Sequence, residues 1–313
     1  MTRYRSIRAM NPDYISICIC TYHRNAMLKH LLDEIRLQET RGLFNYSIII
    51  IDNDPNGSAR ELVIRMKEEH NLDIQYDVEP ERSIPAARNH AIRLARGNYI
   101  AIIDDDEFPT PNWLINLFRA TQTFEADGAL GPIFPFFEQT PPSWLIKGKF
   151  CERPVYRTGT ILEWHQTRTG NVLLKRRVFD EHDLKFDLKL KTSSSDRAFF
   201  KEAIRLGYKF IAVEEAPVYE TVPPERWKKS YYIKRSLAHG YNTYCFSIKG
   251  ASPLRQIGTA IRSLIALTLY TLVLPLGMIL GPAWYLKLLE KGAHHLSQLL
   301  ARVGIELIRE RNF

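Results

Sequence analysis

The run YSIIIID at residues 46–52 decides the fold class of this chain. Four consecutive isoleucines leave no alternation of polar and apolar positions, and such a run is typical of a strand that helices cover on both faces. Similar runs stand on either side of it, YISICICT at 14–21 and YIAIID at 99–104. A shorter candidate strand lies at 73–78, and helical spacing of apolar residues separates the runs at 25–38, 58–70 and 85–96. This order predicts an α/β fold with a doubly wound, mostly parallel sheet.

The sequence pattern is less regular after residue 104. The predicted elements are helices at 111–125, 196–206 and 225–246 and strands at 169–175, 209–213 and 217–220.

Charge is distributed unevenly along the 313 residues. The chain has a net charge of +8, and residues 221–313 contain 13 Lys and Arg against 4 Asp and Glu, so this part carries +9 and the remainder −1. The same basic part contains the most apolar stretch of the chain, which favours a membrane surface over nucleic acid as its partner. We therefore predict a catalytic domain at 1–220 and a basic, helical, membrane-associating region at 221–313.

The apolar stretch Ser263–Leu286 contains 24 residues and no charge. As a single helix it would be about 36 Å long, enough to cross a hydrocarbon core of about 30 Å. Pro275, Gly277, Gly281 and Pro282 interrupt it, however, and both flanks are basic, which opposes a simple span. A bend near Leu274–Gly277 would give two short arms in one leaflet, while a hairpin buried against the catalytic domain is the alternative. Because residues 1–14 resemble no secretory signal, we expect a monotopic or re-entrant protein on the cytoplasmic face of the inner membrane.

Polar groups follow three of the predicted strands, at Thr21-Tyr22-His23-Arg24, Asp52-Asn53-Asp54 and Asp104-Asp105-Asp106-Glu107. In open α/β sheets, ligands bind beyond the carboxyl ends of the strands. Asp104 and Asp106 lie on the same side of an extended chain. Such a pair can hold Mg²⁺ or Mn²⁺, with water and phosphate completing the shell, although a solvated acidic turn is also compatible with the pattern.

Two further residues are candidates for chemistry on a nucleotide. The chain has neither a P-loop nor a G-x-G-x-x-G after its first strand, so basic side chains and a metal would have to neutralise a diphosphate. Arg88, in the helix that begins at Pro85, is one candidate, and a residue on a solvated helix face is the alternative. Asp196 follows three serines at the start of a helix, where the helix dipole favours its ionised form. It could act as a general base or only as a capping acid.

Together these segments resemble glycosyltransferase family 2, the inverting enzymes of the GT-A fold. The resemblance is closest to the bacterial branch that includes succinoglycan-type exopolysaccharide β-1,4-glucosyltransferases. It rests on ICICTYHR at 17–24, IIIIDNDPNG at 48–57, RSIPAARNHAI at 82–92, GNYIAIIDDDEFPTPNWL at 97–114, TGNVLLKR at 169–176, FDLKLKTSSSDRAFFKEAIRLG at 186–207 and VPPERW at 222–227.

The resemblance implies which residues bind the donor. Thr21, Asp52 and Asn53 would contact the nucleoside, and Arg88 would approach the diphosphate. Tyr22 and Arg24, at the same strand end as Thr21, complete the predicted donor-binding set.

The resemblance also implies a metal site and a base. Asp104 and Asp106 would form a D-x-D pair that binds Mn²⁺ or Mg²⁺, with Asp105 near the ribose or the donor sugar. Asp196 matches the catalytic base of the family. The family usually has Gly-Gly-Glu before this aspartate, whereas this chain has Ser193-Ser194-Ser195, and this departure affects the expected recognition of the acceptor.

The implied reaction is an inverting transfer of a sugar from a nucleoside diphosphate, with a UDP-sugar as the expected donor. The expected acceptor is a hydroxyl of a lipid-linked glycan in cell-surface polysaccharide synthesis. A nucleotidyltransferase of similar fold is one alternative, although it should carry a glycine-rich loop where this chain has Tyr22-His23-Arg24-Asn25. A non-catalytic, membrane-tethered glycan-binding module is the other, although it would not need both the D-x-D pair and Asp196.

Overall fold

The computed structural model describes residues 13–190 and 194–308. The strands in these ranges are β1 (Asp13–Thr21), β2 (Phe44–Asp52), β3 (Ile74–Val78), β4 (Tyr99–Ile102), β5 (Glu107–Pro109), β6 (Gly128–Leu130), β7 (Ile133–Phe136), β8 (Val172–Lys175), β9 (Phe210–Ala212) and β10 (Val218–Thr221).

The α-helices lie between and after these strands. They are α1 (Asn25–Ile35), α2 (Arg60–His70), α3 (Ile84–Leu94), α4 (Trp113–Thr123), α5 (Ser143–Lys147), α6 (Arg177–Asp180), α7 (Ser194–Arg205), α8 (Lys229–Ser247), α9 (Pro253–Leu280) and α10 (Pro282–Arg302). Short 3₁₀ helices occupy Trp164–Gln166 and Pro224–Trp227.

Among the described residues, the larger sheet has seven strands in the order β3-β2-β1-β4-β8-β6-β9. Strands β1 to β4 pair in parallel, as do β6 and β9, and only β8 runs antiparallel to both of its neighbours. The predicted α/β fold with a mostly parallel sheet is therefore confirmed. A smaller sheet has the order β5-β10-β7.

The register of the parallel strands determines which side chains meet at their carboxyl ends. β1 and β2 pair from Asp13 opposite Phe44 to Thr21 opposite Asp52. β4 pairs with the other side of β1, where Cys18 lies opposite Ile102. The three polar strand ends identified in the sequence consequently lie at one edge of the sheet.

Alternate residues of the central strands pack into two separate cores. Ile15, Ile17 and Ile19 on β1 share one buried cluster with apolar side chains of α1, α2 and α4. Cys18 shares the other cluster with residues of α3 and α7, including Ala87. This two-sided burial is the reason that the strands are almost entirely apolar.

The chain forms two compact units. The first contains the residues up to Phe134 together with Arg153–Thr221, and the second contains Pro135–Glu152 together with the residues from Val222 onward. The assignment of 1–220 to catalysis and 221–313 to membrane association stays a prediction.

Within the second unit, α9 and α10 form an antiparallel hairpin. Gly277 on α9 lies close against α10, because a Cβ there would be 2.7 Å from Leu288 Cδ1 and 3.2 Å from Tyr285 Cα. At the other end of the hairpin, Ser263 Oγ donates to Gln298 Oε1 at 2.7 Å. α9 is long and apolar enough to cross a membrane. Only 11% of the most apolar 18-residue segment of this helix is buried.

The predicted bend near Leu274–Gly277 is wrong, because the turn lies at Gly281. Pro275 is accommodated inside α9. Gly281 has a φ of +107°, a conformation that residues with a Cβ rarely adopt, and Pro282 begins α10 immediately afterwards. The apolar stretch therefore consists of one long arm and the first turn of a second helix, rather than two equal arms.

Candidate active site

Arg24 joins two carboxylates of the acidic turn that follows β4. Its Nη1 donates to Asp105 Oδ1 at 2.9 Å and to Asp106 Oδ2 at 3.0 Å. Thr21 Oγ1 donates to the second oxygen of Asp105 at 2.9 Å. The structure thus brings together Thr21, Arg24, Asp105 and Asp106, which come from the ends of two neighbouring strands.

Arg88 connects the acidic turn to Asp196. Its side chain, on α3, is only 8% exposed, and it donates to Asp196 Oδ1 at 2.5 Å and to Asp104 Oδ1 at 3.0 Å. Burial alone would lower the pKa of this guanidinium, but the two carboxylates raise it above its usual value. Arg88 is therefore a permanent cation. Its side chain contacts both Asp196, the predicted base, and Asp104, the first aspartate of the D-x-D pair.

Asp196 lies in the first turn of α7, as the sequence predicts. Its second oxygen, Oδ2, accepts a hydrogen bond from Thr169 Oγ1 at 2.6 Å, and Ser195 Oγ lies 3.3 Å from Oδ1. The N-terminal end of α7 and the Arg88 guanidinium therefore both place positive charge beside this side chain. Ser193, the first residue of the serine run, lies outside the described residues.

Carboxylates crowd the turn between β4 and β5. Burial raises the pKa of Asp106 to about 7, against the opposing charge of Arg24 and with a contribution from Glu220 and the other acids of the turn. Burial raises the pKa of Glu107 as well, with Asp104 adding to the effect. The Glu107 carboxylate also accepts the backbone N–H of Asp104 at 3.3 Å. Burial and mutual repulsion thus disfavour the ionised forms of Asp106 and Glu107, and a bound cation would favour them.

Gly170 makes room for the same carboxylates. A Cβ at this position would lie 2.6 Å from Glu107 Oε1 and 3.2 Å from Asp104 Oδ2. The following residue, Asn171, has a φ of +57° and is fully buried. It accepts from Trp113 Nε1 at 2.7 Å and donates to two carbonyl oxygens, so it fixes the loop that carries Thr169 and Gly170.

Asp52 and Asn53 order the neighbouring loops. Asp52 accepts the backbone N–H groups of Asp54 and Ala59 and the hydroxyl of Tyr76 at 2.7–3.0 Å. The Asn53 amide donates to the carbonyl oxygens of residues 79 and 81 and accepts the N–H of Ser83. Both residues thus make contacts that shape the edge of the sheet, and their contact with a nucleoside stays a prediction.

Tyr22 lies beside this edge with one ring face covered by a cation. The Arg82 guanidinium carbon is 4.4 Å from the centre of the Tyr22 ring. The role of Tyr22 in donor binding also stays a prediction.

The residues of the turn fit a hard divalent cation by their chemistry, although Asp104 and Asp106 pair with different arginines here. Among residues 13–190 and 194–308, no three His, Cys, Asp or Glu side chains form a group that could hold a metal ion. Mg²⁺ sites in nucleotide-binding proteins commonly use only one or two carboxylates together with substrate phosphates. The oxygen-only donors of Asp104 and Asp106 are consistent with that arrangement.

Comparison with known proteins identifies the family. The model of glycosyl transferase family 2 matches residues 16–183, which include the acidic turn and the Thr169–Asn171 loop. The chain belongs to glycosyltransferase family 2. The predicted resemblance is therefore confirmed, and the chain is a glycosyltransferase.

Relatives and solved structures agree with this assignment. The chain is 32% identical to the succinoglycan biosynthesis protein ExoM of Rhizobium meliloti over 250 residues, which are 78% of each protein. Its fold is similar to a Staphylococcus aureus TarS structure solved with UDP (TM-score 0.54, 14% identity, 93% of this chain and 92% of that one). It is also similar to the Pyrobaculum calidifontis mannosyltransferase PcManGT solved with GDP-Man and Mn²⁺ (TM-score 0.55, 16% identity, 94% and 74%). This family 2 member therefore has the GT-A fold.

Reasoning from the sequence missed two residues that contact the candidate site. Thr169 contacts Asp196 and Gly170 lies against the acidic turn, yet neither has a side chain that suggests chemistry. The Gly170-Asn171 pair directly before a strand could have indicated this loop, since glycine and asparagine often adopt backbone conformations with positive φ.

Proposed function

We propose that this family 2 enzyme transfers a sugar from a UDP-sugar, with inversion, to a hydroxyl of a lipid-linked glycan during cell-surface polysaccharide synthesis. One observation carries the proposal: the Arg88 guanidinium contacts both Asp196 and Asp104. A group able to accept a proton therefore lies next to the acidic turn at the strand ends, where a nucleotide would bind.

In the proposed reaction, Asp196 removes the proton from the acceptor hydroxyl. The hydroxyl oxygen forms a bond to the anomeric carbon of the donor while the bond from that carbon to the diphosphate oxygen breaks. Arg88 and Arg24 provide positive charge beside the leaving diphosphate, and no protein nucleophile is required.

Asp104 and Asp106 would hold the divalent cation, Mn²⁺ or Mg²⁺, at this site. When bound, the cation would stabilise the negative charge that develops on the nucleoside diphosphate. The similar fold of a mannosyltransferase solved with Mn²⁺ supports the choice of a divalent cation.

A panel of nucleotide sugars, assayed for release of nucleoside diphosphate with and without Mn²⁺, tests the proposal. We expect turnover of a UDP-sugar that depends on the cation and that rises when a glycolipid acceptor is added. Cleavage of no donor in the panel would contradict it, as would release of pyrophosphate from a nucleoside triphosphate, the reaction of a nucleotidyltransferase. NMR of the product reports whether the anomeric configuration inverts.

The helical hairpin supports a membrane location for the acceptor. Large apolar side chains near its turn are exposed, including Leu272 (71%), Met278 (68%) and Ile279 (82%). Ten residues separate Tyr270 from Leu280, which gives about 15 Å along α9, or about half of a hydrocarbon core of about 30 Å. The hairpin is therefore suited to enter one leaflet, with the basic remainder of the second unit on the cytoplasmic face of the inner membrane.

Charging the tip of the hairpin should release the protein from membranes. We expect wild-type protein to sediment with membranes in high salt, and a tag after Phe313 to be accessible only from the cytoplasm. The double substitution Leu272→Glu with Ile279→Glu should move most of the protein to the soluble fraction, because each charge would be costly in hydrocarbon. Leu254→Glu with Ile257→Glu is the matched control at the opposite end of α9. Equal release by both variants, or an externally accessible tag, would argue against one-leaflet insertion.

A further inference from the structure

The second unit contains a basic pocket that the proposed reaction does not use. Its volume is about 360 Å³, and among the described residues its charged lining consists of Lys149, Arg235, Lys287, Lys291 and Glu290. With Glu290 ionised, these five side chains carry a net charge of +3. We call this cavity the basic pocket.

Three of the four cationic side chains of the basic pocket lie against aromatic rings. The Arg235 guanidinium lies 4.8 Å from the Tyr232 ring centre, Lys287 Nζ lies 5.7 Å from that of Trp284, and Lys291 Nζ lies 5.8 Å from that of Tyr270. Cation–π contacts restrain the positions of these side chains without neutralising them. The cations are therefore arranged in advance around the cavity.

Acidic partners offset only part of this charge. Arg235 Nη2 is 3.8 Å from Glu290 Oε1, and Lys149 Nζ is 3.0 Å from Glu152 Oε2. Burial raises the pKa of Glu290 to about 7, so close to neutral pH its carboxyl is ionised in only part of the molecules. The basic pocket consequently favours an anion.

The basic pocket also lies at the level where the proposed insertion would end. Tyr270 marks that level on α9, tyrosine side chains concentrate at membrane–water interfaces, and Lys291 Nζ lies 5.8 Å from the centre of the Tyr270 ring. Lys291 therefore lies at the level of Tyr270, and Lys287 lies about 6 Å nearer the tip of the hairpin, from where its long side chain can extend toward the headgroups. The headgroup layer on each side of the hydrocarbon core is roughly 5–8 Å thick, so these lysines would reach the depth of the lipid phosphates.

We infer that the basic pocket binds the phosphate group of an anionic membrane lipid and so fixes the second unit on the bilayer surface. Lys287, Lys291 and Arg235 would contact the phosphate oxygens, while the apolar tip of the hairpin lies among the acyl chains. This inference requires the proposed insertion of the hairpin but not the proposed catalytic reaction.

Flotation of the purified full-length protein with vesicles tests this inference. We expect the protein to bind vesicles containing phosphatidylglycerol more tightly than vesicles of phosphatidylcholine alone. Lys287→Gln with Lys291→Gln should weaken binding to the anionic vesicles about 30-fold, which corresponds to about 1 kcal/mol for each lysine. Lys234→Gln with Lys249→Gln removes the same charge from exposed positions of the same unit outside the pocket lining, and it should weaken binding less than about threefold. Glu290→Gln should strengthen binding.

Three outcomes would overturn the inference. Equal losses in the two double variants would mean that diffuse surface charge attracts the protein to the bilayer. Equal binding of wild-type protein to both kinds of vesicle would mean that lipid charge is not recognised. Full displacement from anionic vesicles by millimolar inorganic phosphate would indicate a site for free phosphate. Donor turnover in detergent should be unchanged in Lys287→Gln with Lys291→Gln, so failure of this inference is distinguishable from failure of the proposed function.

Discussion

Asp196→Asn should lower sugar transfer by roughly two to four orders of magnitude, the usual effect of removing a general base. Asparagine has nearly the same shape and can still accept from Thr169 or Arg88, but it cannot take the proton of the acceptor hydroxyl. Donor and cation binding should remain, because Arg88 keeps its contact with Asp104. Transfer under single-turnover conditions and UDP binding by calorimetry provide the two measurements.

Ser195→Ala is the matched control for this variant. Its hydroxyl lies 3.3 Å from Asp196 Oδ1, at the long end of hydrogen-bond distances, and Arg88 contacts the same oxygen more closely. We expect this control to stay within a few-fold of wild type. If Asp196→Asn also retained a tenth of the wild-type rate, Asp196 would be only a helix-capping acid.

Asp106→Ala should abolish transfer and remove the dependence of donor binding on Mn²⁺. The physical reason is that the cation would lose a carboxylate ligand in a buried position where water is a poor replacement. UDP binding with and without Mn²⁺ measures the effect, and Glu220→Gln is a control that removes a neighbouring acid outside the D-x-D pair. Full activity of Asp106→Ala would eliminate the proposed metal role.

The same carboxyl should have a pH-dependent effect on stability when no divalent cation is present. The pKa of Asp106 is raised from 3.8 to about 7 in the folded protein. Between these values the unfolded chain has lost the proton while the folded protein retains it, so stability falls as the pH rises from about 4 to about 7. Asp106→Asn lacks this effect, and its Tm relative to wild type should increase by roughly 5 °C between pH 5 and pH 8. An unchanged difference in Tm across this range would be contrary to the expectation.

The central sheet could be predicted because its strands are buried on both faces. Runs such as the four isoleucines at 48–51 have no polar position, and the acids after residue 103 had to lie at the carboxyl edge once the parallel order was clear. The short strands β5, β6 and β7 were not predicted, since three or four residues are too few to show a periodic pattern. The position of the hairpin turn was missed for another reason: Pro275 was taken as the break, while the backbone turned where Gly281 permitted a positive φ.

The contact between Arg88 and Asp196 could not be predicted from local patterns. The two residues are 108 positions apart on α3 and α7, and they meet because both helices cover the same face of the sheet. Family resemblance suggested the individual candidate residues, and their roles stay predictions. The pairing of acids with particular arginines depends on packing, which the spacing of residues does not encode.

The discontinuous second unit affects how the protein can be made. The apolar side chains of Leu145 and Phe150 are buried in a cluster with Tyr232 and Leu286. A chain shortened to end at Thr221 would expose them to solvent, and we expect such a fragment to aggregate rather than behave as an isolated catalytic domain. During synthesis, Phe150 leaves the ribosome more than a hundred residues before Leu286, a delay on the order of ten seconds. The nascent chain therefore exposes apolar surface throughout that interval, and we expect chaperones to bind it.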